Sequence, residues 1–157
     1  MKFIIEHLEP ELFEWCLIEY EHISKIVGMD NLIFANIKNK DTPKFKKCGT
    51  VYEKSVYELN FQNICVLSQY SKKALTTSDR NKFKYFVFGG ILGDKPAKKR
   101  TNEIIQQLQK QKIKFETRSL GDKQMPTDVA VFVAKKILDG KKLSDLRFID
   151  EIEVEIN

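Results

Sequence analysis

The feature that most constrains this chain is the run Tyr85-Phe86-Val87-Phe88, four consecutive apolar residues closed by Gly89-Gly90. An uninterrupted apolar run of that length, bounded by glycine, is the signature of a strand covered on both faces, and strands of that kind belong to parallel sheets packed between helices. The sequence on either side of it agrees. Phe3 to Ile5 reads as a first buried strand, and Leu12, Phe13, Cys16, Leu17, Tyr20, Ile23 and Val27 then recur every three or four residues up to Gly28. That spacing predicts a helix, with Pro10 in its first turn. Asn31 to Ala35 is expected to be a second strand, Asp41 to Gly49 a loop, Val51 to Leu59 a short helix, and Ile64 to Leu67 a third strand. Ser68 to Lys82 reads as a polar stretch. Beyond the central strand, Thr101 to Lys112 carries Ile104, Ile105 and Leu108 at helical spacing, and Ile113 to Arg118 alternates as a strand does. Thr127 is placed to cap a final helix whose apolar face is Val129, Phe132, Val133, Ile137 and Leu138. Strand and helix alternate throughout, so the expected class is α/β with a mainly parallel sheet.

Length sets the scale. The 157 residues suffice for one domain with its own core, spanning 1–157. No apolar stretch approaches the length of a bilayer, and the opening Phe3-Ile4-Ile5 run turns polar at Glu6, so a cytoplasmic protein with no membrane partner is expected. Cys16, Cys48 and Cys65 are odd in number and scattered, and the histidines are His7 and His22 alone. That set supports neither a disulfide framework nor a metal site, and Cys16 and Cys65 fall where core residues are expected. The formal charge of +5 comes from lysines grouped at Lys44, Lys46 and Lys47 and at Lys95, Lys98, Lys99 and Arg100. Such groups suit an anionic partner such as RNA, and they also suit plain solubility.

Open α/β sheets bind ligands beyond the carboxyl ends of their strands. Two such ends carry unusual loops here: Gly89-Gly90-Ile91-Leu92-Gly93-Asp94 and Leu120-Gly121-Asp122-Lys123-Gln124-Met125-Pro126. Glycine-rich backbone offers amides and carbonyls to a ligand at close range. A dinucleotide fingerprint fails, because Phe88 stands where its first glycine belongs and Pro96 interrupts the helix that would follow. A phosphate-binding loop of the Gly-x-x-x-x-Gly-Lys-Ser/Thr type is absent.

Three blocks add up to a resemblance: Phe3-Ile4-Ile5-Glu6-His7 followed by Glu14-Trp15, then Tyr85 to Asp94, read as YFVFGGILGD, then Leu120 to Met125 with Thr127-Asp128. In order and spacing they resemble a small archaeal and eukaryotic branch of the SPOUT methyltransferases, whose yeast member modifies an arginine of a small-subunit ribosomal protein. The resemblance spans nearly the whole chain. It implies S-adenosylmethionine as methyl donor, S-adenosylhomocysteine as product, and a C-terminal trefoil knot. It places Leu67, Phe88, Gly89, Gly90, Leu92 and Gly93 on one side of the donor and Leu120, Gly121, Asp122, Met125 and Thr127 on the other. One departure stands out: Ser68-Gln69 occupies the position where the branch has Asp-Pro.

Transfer from a sulfonium needs an aligned nucleophile and a route for its proton rather than a covalent intermediate. An arginine acceptor is protonated at neutral pH, so carboxylates must hold it and orient one nitrogen. Glu6, at the end of the first strand, and Asp94, at the end of the glycine loop, are the expected acidic residues, and His7 is a candidate base, with a cap or a partly buried structural residue as its other readings. Two other activities fit the same residues. One is methylation of RNA, the commonest reaction of the wider class; the other is donor binding without turnover by a ribosome-assembly protein. The class usually dimerises through its knotted region, and either a homodimer or a monomer is compatible with this sequence.

Overall fold

The computed structural model of the protein describes residues 1–90, 97–121 and 125–141, and for residues 97–100 the backbone alone. Among the described residues six strands form one sheet: β1 (Lys2–His7), β2 (Leu32–Ala35), β3 (Thr50–Val51), β4 (Ile64–Leu67), β5 (Tyr85–Gly90) and β6 (Phe115–Arg118). Their spatial order is β3-β2-β1-β5-β4-β6, and every neighbouring pair runs parallel. Four α-helices accompany them among the described residues: α1 (Glu14–Val27), α2 (Asp79–Lys82), α3 (Ala97–Lys110) and α4 (Thr127–Leu138). The parallel α/β class expected from the strand and helix periods is what the chain adopts.

Alternation along the strands divides the core in two. Phe3, Ile5, Phe34, Cys65, Phe86 and Phe88 face one side of the sheet, where Cys16, Tyr20, Ile23 and Val27 of α1 and the apolar residues of α4 cover them. Ile4, Ile33, Val66 and Val87 face the other side, under Ile104 and Leu108 of α3 and Val56. Because a strand presents successive side chains to opposite faces, the continuous apolar runs of β1 and β5 bury both sets at once. All three cysteines are buried and free, as the sequence suggested for Cys16 and Cys65.

Several local expectations change. Val51 to Leu59 holds no α-helix; it is the end of β3, then a 3₁₀ turn at Val56–Glu58 begun by a Ser55–Glu58 capping box. A capping box satisfies two amides in a segment too short for a helix to propagate. The Lys-rich loop is partly ordered as a 3₁₀ helix over Asn39–Phe45, because Phe45 is drawn into the core beside Tyr20 and Phe34. Pro10 lies four residues ahead of α1 rather than in its first turn. The polar stretch after β4 contains α2, whose first residue Asp79 is buried in an ion pair with Arg118. The C-terminal trefoil knot that the resemblance implies concerns a part of the chain in which residues 122–124 and 142–157 lie outside the described residues.

Candidate functional site

The pairing of β5 with its two neighbours ends unevenly. β1 follows it to the last residue, with Glu6 opposite Gly89 and His7 opposite Gly90, whereas β4 stops at Val66 opposite Val87. Leu67 instead continues along β6, opposite Arg118, and the Ser68 amide donates to the Arg118 carbonyl at 2.9 Å. The strands therefore part at their carboxyl ends between Leu67 and Phe88. This is the place where an open α/β sheet accommodates a ligand.

The second loop returns to that place. The Thr127 hydroxyl donates to the Gly89 carbonyl at 3.0 Å, a bond between residues 38 apart in sequence. It joins the start of α4 to the glycine tail of β5, so Thr127 and Gly89, one from each of the two stretches that the sequence singled out, meet in the folded chain. Leu67, Phe88, Leu120 and Thr127 are buried around this junction, and half-buried Met125 packs on the same core. Gly121 has φ +100°, a backbone conformation that side chains rarely adopt. Thr127 does not cap α4 as expected: Pro126 precedes the helix without a side-chain cap, and the threonine hydroxyl is committed to β5 instead. Leu92, Gly93, Asp94 and Asp122 lie outside the described residues.

Gly89 also has a packing reason. A Cβ there would meet Leu8 Cδ1 at 3.2 Å, Thr101 Oγ1 at 3.3 Å and Ile104 Cδ1 at 3.8 Å. The bare backbone thus lets α3 and the residue after β1 close over the end of the central strand.

The candidate catalytic groups at β1 are both buried. Glu6 is 1% exposed and its Oε1 accepts from the Val56 amide at 3.0 Å. Burial pushes its carboxyl up to about 7, only partly opposed by the Val56 amide and the Ser55 hydroxyl. His7 is held through both ring nitrogens. Nε2 lies 3.0 Å from the Glu11 carbonyl, which can only accept, so that nitrogen carries the proton. Nδ1 then accepts from the Tyr20 hydroxyl at 2.7 Å. Burial lowers the basicity of His7 and keeps it neutral. The imidazole fixes the tail of β1 against α1.

A further acidic residue stands at the junction. Glu19 of α1 is 5% exposed, and its Oε1 accepts from the Asp128 amide at 3.1 Å, while Oε2 has no hydrogen-bond partner among the described residues. Burial first, and the neighbouring Asp128 carboxylate second, push it up to about 8. A sequence signal for it existed. Glu19 falls three residues after Cys16 and four before Ile23, so it is a charged residue on the core face of an amphipathic helix.

On the far side of the opening, Arg118 is 2% exposed. Its Nε donates to Asp79 Oδ1 and Oδ2, both at 3.3 Å, its Nη1 to the Thr117 carbonyl at 2.8 Å, and its Nη2 to Glu116 Oε1 at 3.2 Å. The guanidinium also lies 5.0 Å above the centre of the Phe83 ring. This pair anchors α2 beneath the end of β6, immediately before Ser119 and Leu120.

A family model described as protein arginine N-methyltransferase SFM1-like matches residues 2–157. The chain belongs to the SFM1-like family. It is 36% identical over 174 aligned positions to protein arginine N-methyltransferase SFM1 of Saccharomyces cerevisiae, spanning all of this chain and 80% of the yeast protein. The crystal structure of the yeast enzyme complexed with SAM superposes with a TM-score of 0.81 at 34% identity, covering 92% of this chain and 70% of that one. A dual-specific Trm10 from Thermococcus kodakaraensis matches with a TM-score of 0.69 at 18% identity over the full length of both chains, a likeness of fold alone. The SFM1-like assignment agrees with the SPOUT resemblance carried by the three sequence blocks. Among the described residues no cluster of histidine, cysteine or acidic side chains is suited to a metal ion, and no helix is long and apolar enough to cross a membrane.

Proposed function

We propose that this SFM1-like protein transfers a methyl group from S-adenosylmethionine to an arginine of a ribosomal protein in the cytoplasm, releasing S-adenosylhomocysteine. The observation that carries the reading is the Thr127–Gly89 hydrogen bond, which ties the start of α4 to the glycine tail of β5, the strand whose end parts from β4. Yeast SFM1 has been crystallised with SAM, with SAH and with MTA, and this chain shares about a third of its sequence. The residues present suit such a ligand. Leu67, Phe88, Leu120 and Met125 supply apolar walls for a flat adenine, and the backbone at Gly89, Gly90 and Gly121 supplies polar groups for its edge and for a ribose.

When bound, the donor supplies a methyl group already activated on a sulfonium. What the protein adds is alignment and proton control. Glu6, opposite Gly89 on the neighbouring strand, and Asp94, at the end of the same loop, are the acidic residues assigned to the acceptor guanidinium and its departing proton. A Glu6 carboxyl held at about 7 exchanges a proton readily at neutral pH. His7, with both nitrogens engaged inside the fold, orients the end of β1. Leu92, Gly93 and Asp122 are assigned to the donor with the residues already named.

The test is to incubate the recombinant protein with labelled methyl donor and, separately, ribosomal proteins and ribosomal RNA. Label recovered as methylarginine supports the reading. Label in RNA makes the protein an RNA methyltransferase, and SAH binding without turnover on either substrate makes it a donor-binding assembly protein.

A further inference from the structure

Charge is unevenly spread along this chain. Lysine and arginine number 27 against 22 aspartates and glutamates, yet Phe3 to Ser24 holds Glu6, Glu9, Glu11, Glu14, Glu19 and Glu21 and no lysine or arginine. Glu6 and Glu19 are buried, whereas Glu11, Glu14 and Glu21 are exposed. Among them stand three large apolar side chains that the core leaves out: Phe13 is 38% exposed, Trp15 41% and Ile18 51%. The Phe13 and Trp15 rings stack on each other, with centres 5.4 Å apart and planes 14° apart. Trp15 and Ile18 are three residues apart, and Glu14, Ile18 and Glu21 recur at intervals of four and three. They therefore share one face of α1, turned away from Cys16, Tyr20 and Ile23, which meet the core.

Two contacts tie this patch to the donor site. On one side of it the Glu11 carbonyl accepts from His7 Nε2, and His7 stands opposite Gly90 at the tail of β5. On the other side Glu19, one helical turn (~6 Å) beyond Trp15, accepts from the Asp128 amide, next to the Thr127 that holds Gly89. Phe13, Trp15 and Ile18 lie on the chain between these anchors. Lys38 and Lys40 each lie 3.6 Å from Glu11 at one margin, and Lys25 follows four residues beyond Glu21 at the other. Glu14 and Glu21 make no ion pair among the described residues.

A stacked aromatic pair and an isoleucine exposed to water are what protein interfaces bury, and tryptophan is foremost among the residues whose loss weakens them. The acidic rim selects the partner. It attracts a cationic segment and repels a polyanion such as RNA. The chain's own residues 142–157, with Asp145, Asp150, Glu151, Glu153 and Glu155 against Lys142 and Arg147, are of the wrong sign to cover it. We propose that Phe13, Trp15 and Ile18, rimmed by Glu14 and Glu21, form the docking surface for the acceptor protein, gripping a basic segment by an apolar side chain near its target arginine. The inference rests on the arginine-transfer reading above and adds to it the surface that tells a protein acceptor from RNA.

The experiment uses the whole protein, labelled S-adenosylmethionine, and the proteins and RNA extracted from small ribosomal subunits, offered separately. The rate of methylarginine formation is followed against the concentration of the ribosomal proteins. Trp15→Ala, Ile18→Lys and the double charge reversal Glu14→Lys with Glu21→Lys are compared with wild type. Affinity for S-adenosylhomocysteine, melting temperature and molecular mass in solution are recorded for each. Because the substituted side chains are exposed, the fold should hold and donor affinity stay within about twofold of wild type. Expected is a half-saturating acceptor concentration raised at least about fivefold in each variant, with the rate at saturation within about twofold. Half-saturation within about twofold of wild type in any of the three overturns the inference and leaves arginine transfer standing. A parallel loss of S-adenosylhomocysteine affinity in Trp15→Ala overturns it too, since the patch then belongs to the donor site. So does a wild-type dimer that Trp15→Ala dissolves, since the occupant is then a second copy of the chain. Label in RNA alone, or on neither acceptor, removes the arginine-transfer reading and its docking surface together.

Discussion

The Nδ1 of His7 lies 2.7 Å from the Tyr20 hydroxyl, with the rings edge to face and their centres 5.7 Å apart. This contact pins the end of β1, one residue beyond Glu6, to the middle of α1. Replacing Tyr20 with Phe leaves the buried Nδ1 without its donor, a loss of about 1 to 3 kcal/mol. Chemical denaturation should show a lower midpoint with an unchanged slope. In nuclear magnetic resonance the His7 ring of the wild type should stay neutral below pH 6.5, since burial lowers its basicity. An imidazole that titrates at its ordinary value shows the contact to be absent in solution.

The Thr127 hydroxyl is the tie between the two loops, so its removal is a direct probe of the donor site. Thr127→Val keeps the shape and loses the bond to Gly89, and S-adenosylhomocysteine affinity should drop by at least about tenfold, near 1.4 kcal/mol. Thr127→Ser keeps the hydroxyl and should stay within about threefold, roughly 0.7 kcal/mol. Equal affinity in both variants separates this bond from donor binding.

Stability should fall as pH rises from the acid side. Glu6 and Glu19 both have folded-state values above the ordinary 4.5, at about 7 and about 8. At these two groups the folded state thus binds more protons than the unfolded state across that window, and the stability they contribute is fully present below pH 4.5 and lost as pH passes through 7 and 8. At about 1.4 kcal/mol per pKa unit, each group is worth roughly 3 to 5 kcal/mol between those limits. The variants Glu6→Gln and Glu19→Gln should each melt higher than wild type at pH 8.5 and lose part of the pH slope. A wild-type melting temperature that climbs steadily from pH 5 to 8.5 contradicts the assignment of both as buried acids.

Arg118 and Asp79 form a buried ion pair in which the cation also meets Glu116 and a backbone carbonyl. Truncating one partner strands the other charge, a loss of about 3 to 5 kcal/mol. Arg118→Ala should unfold at markedly lower denaturant. Arg118→Lys should recover little, because an ammonium cannot reproduce the spread of a guanidinium over Asp79, Thr117, Glu116 and the Phe83 ring.

Gly89→Ala inserts a methyl group at 3.2 to 3.3 Å from Leu8 and Thr101. Overpacking of this kind costs about 1 to 3 kcal/mol. Adding Thr101→Ala should restore part of that loss, visible as a favourable coupling in a double-mutant cycle by thermal melts. Full additivity places the strain elsewhere.

Fold class was written in the sequence because periodicity is a local property. The double-faced runs of β1 and β5, and the apolar stripes of α1 and α4, follow from residue spacing alone, and the blocks YFVFGGILGD and Leu120 to Met125 marked the two loops. What local spacing does not contain is which groups meet across the fold. Thr127 looked like a helix cap, since nothing nearby in sequence shows that the Gly89 carbonyl will stand within reach. His7 looked like a base, since the Tyr20 hydroxyl and Glu11 carbonyl that fix its proton come together only when α1 lies on β1. Glu19 belongs to no local motif, although its place between Cys16 and Ile23 puts it on the core face of α1. Its burial against Asp128, and with it the state of its proton, was decided by the packing of α1 on α4, because the cost of desolvating a carboxyl depends on what surrounds it in space and not on its neighbours along the chain.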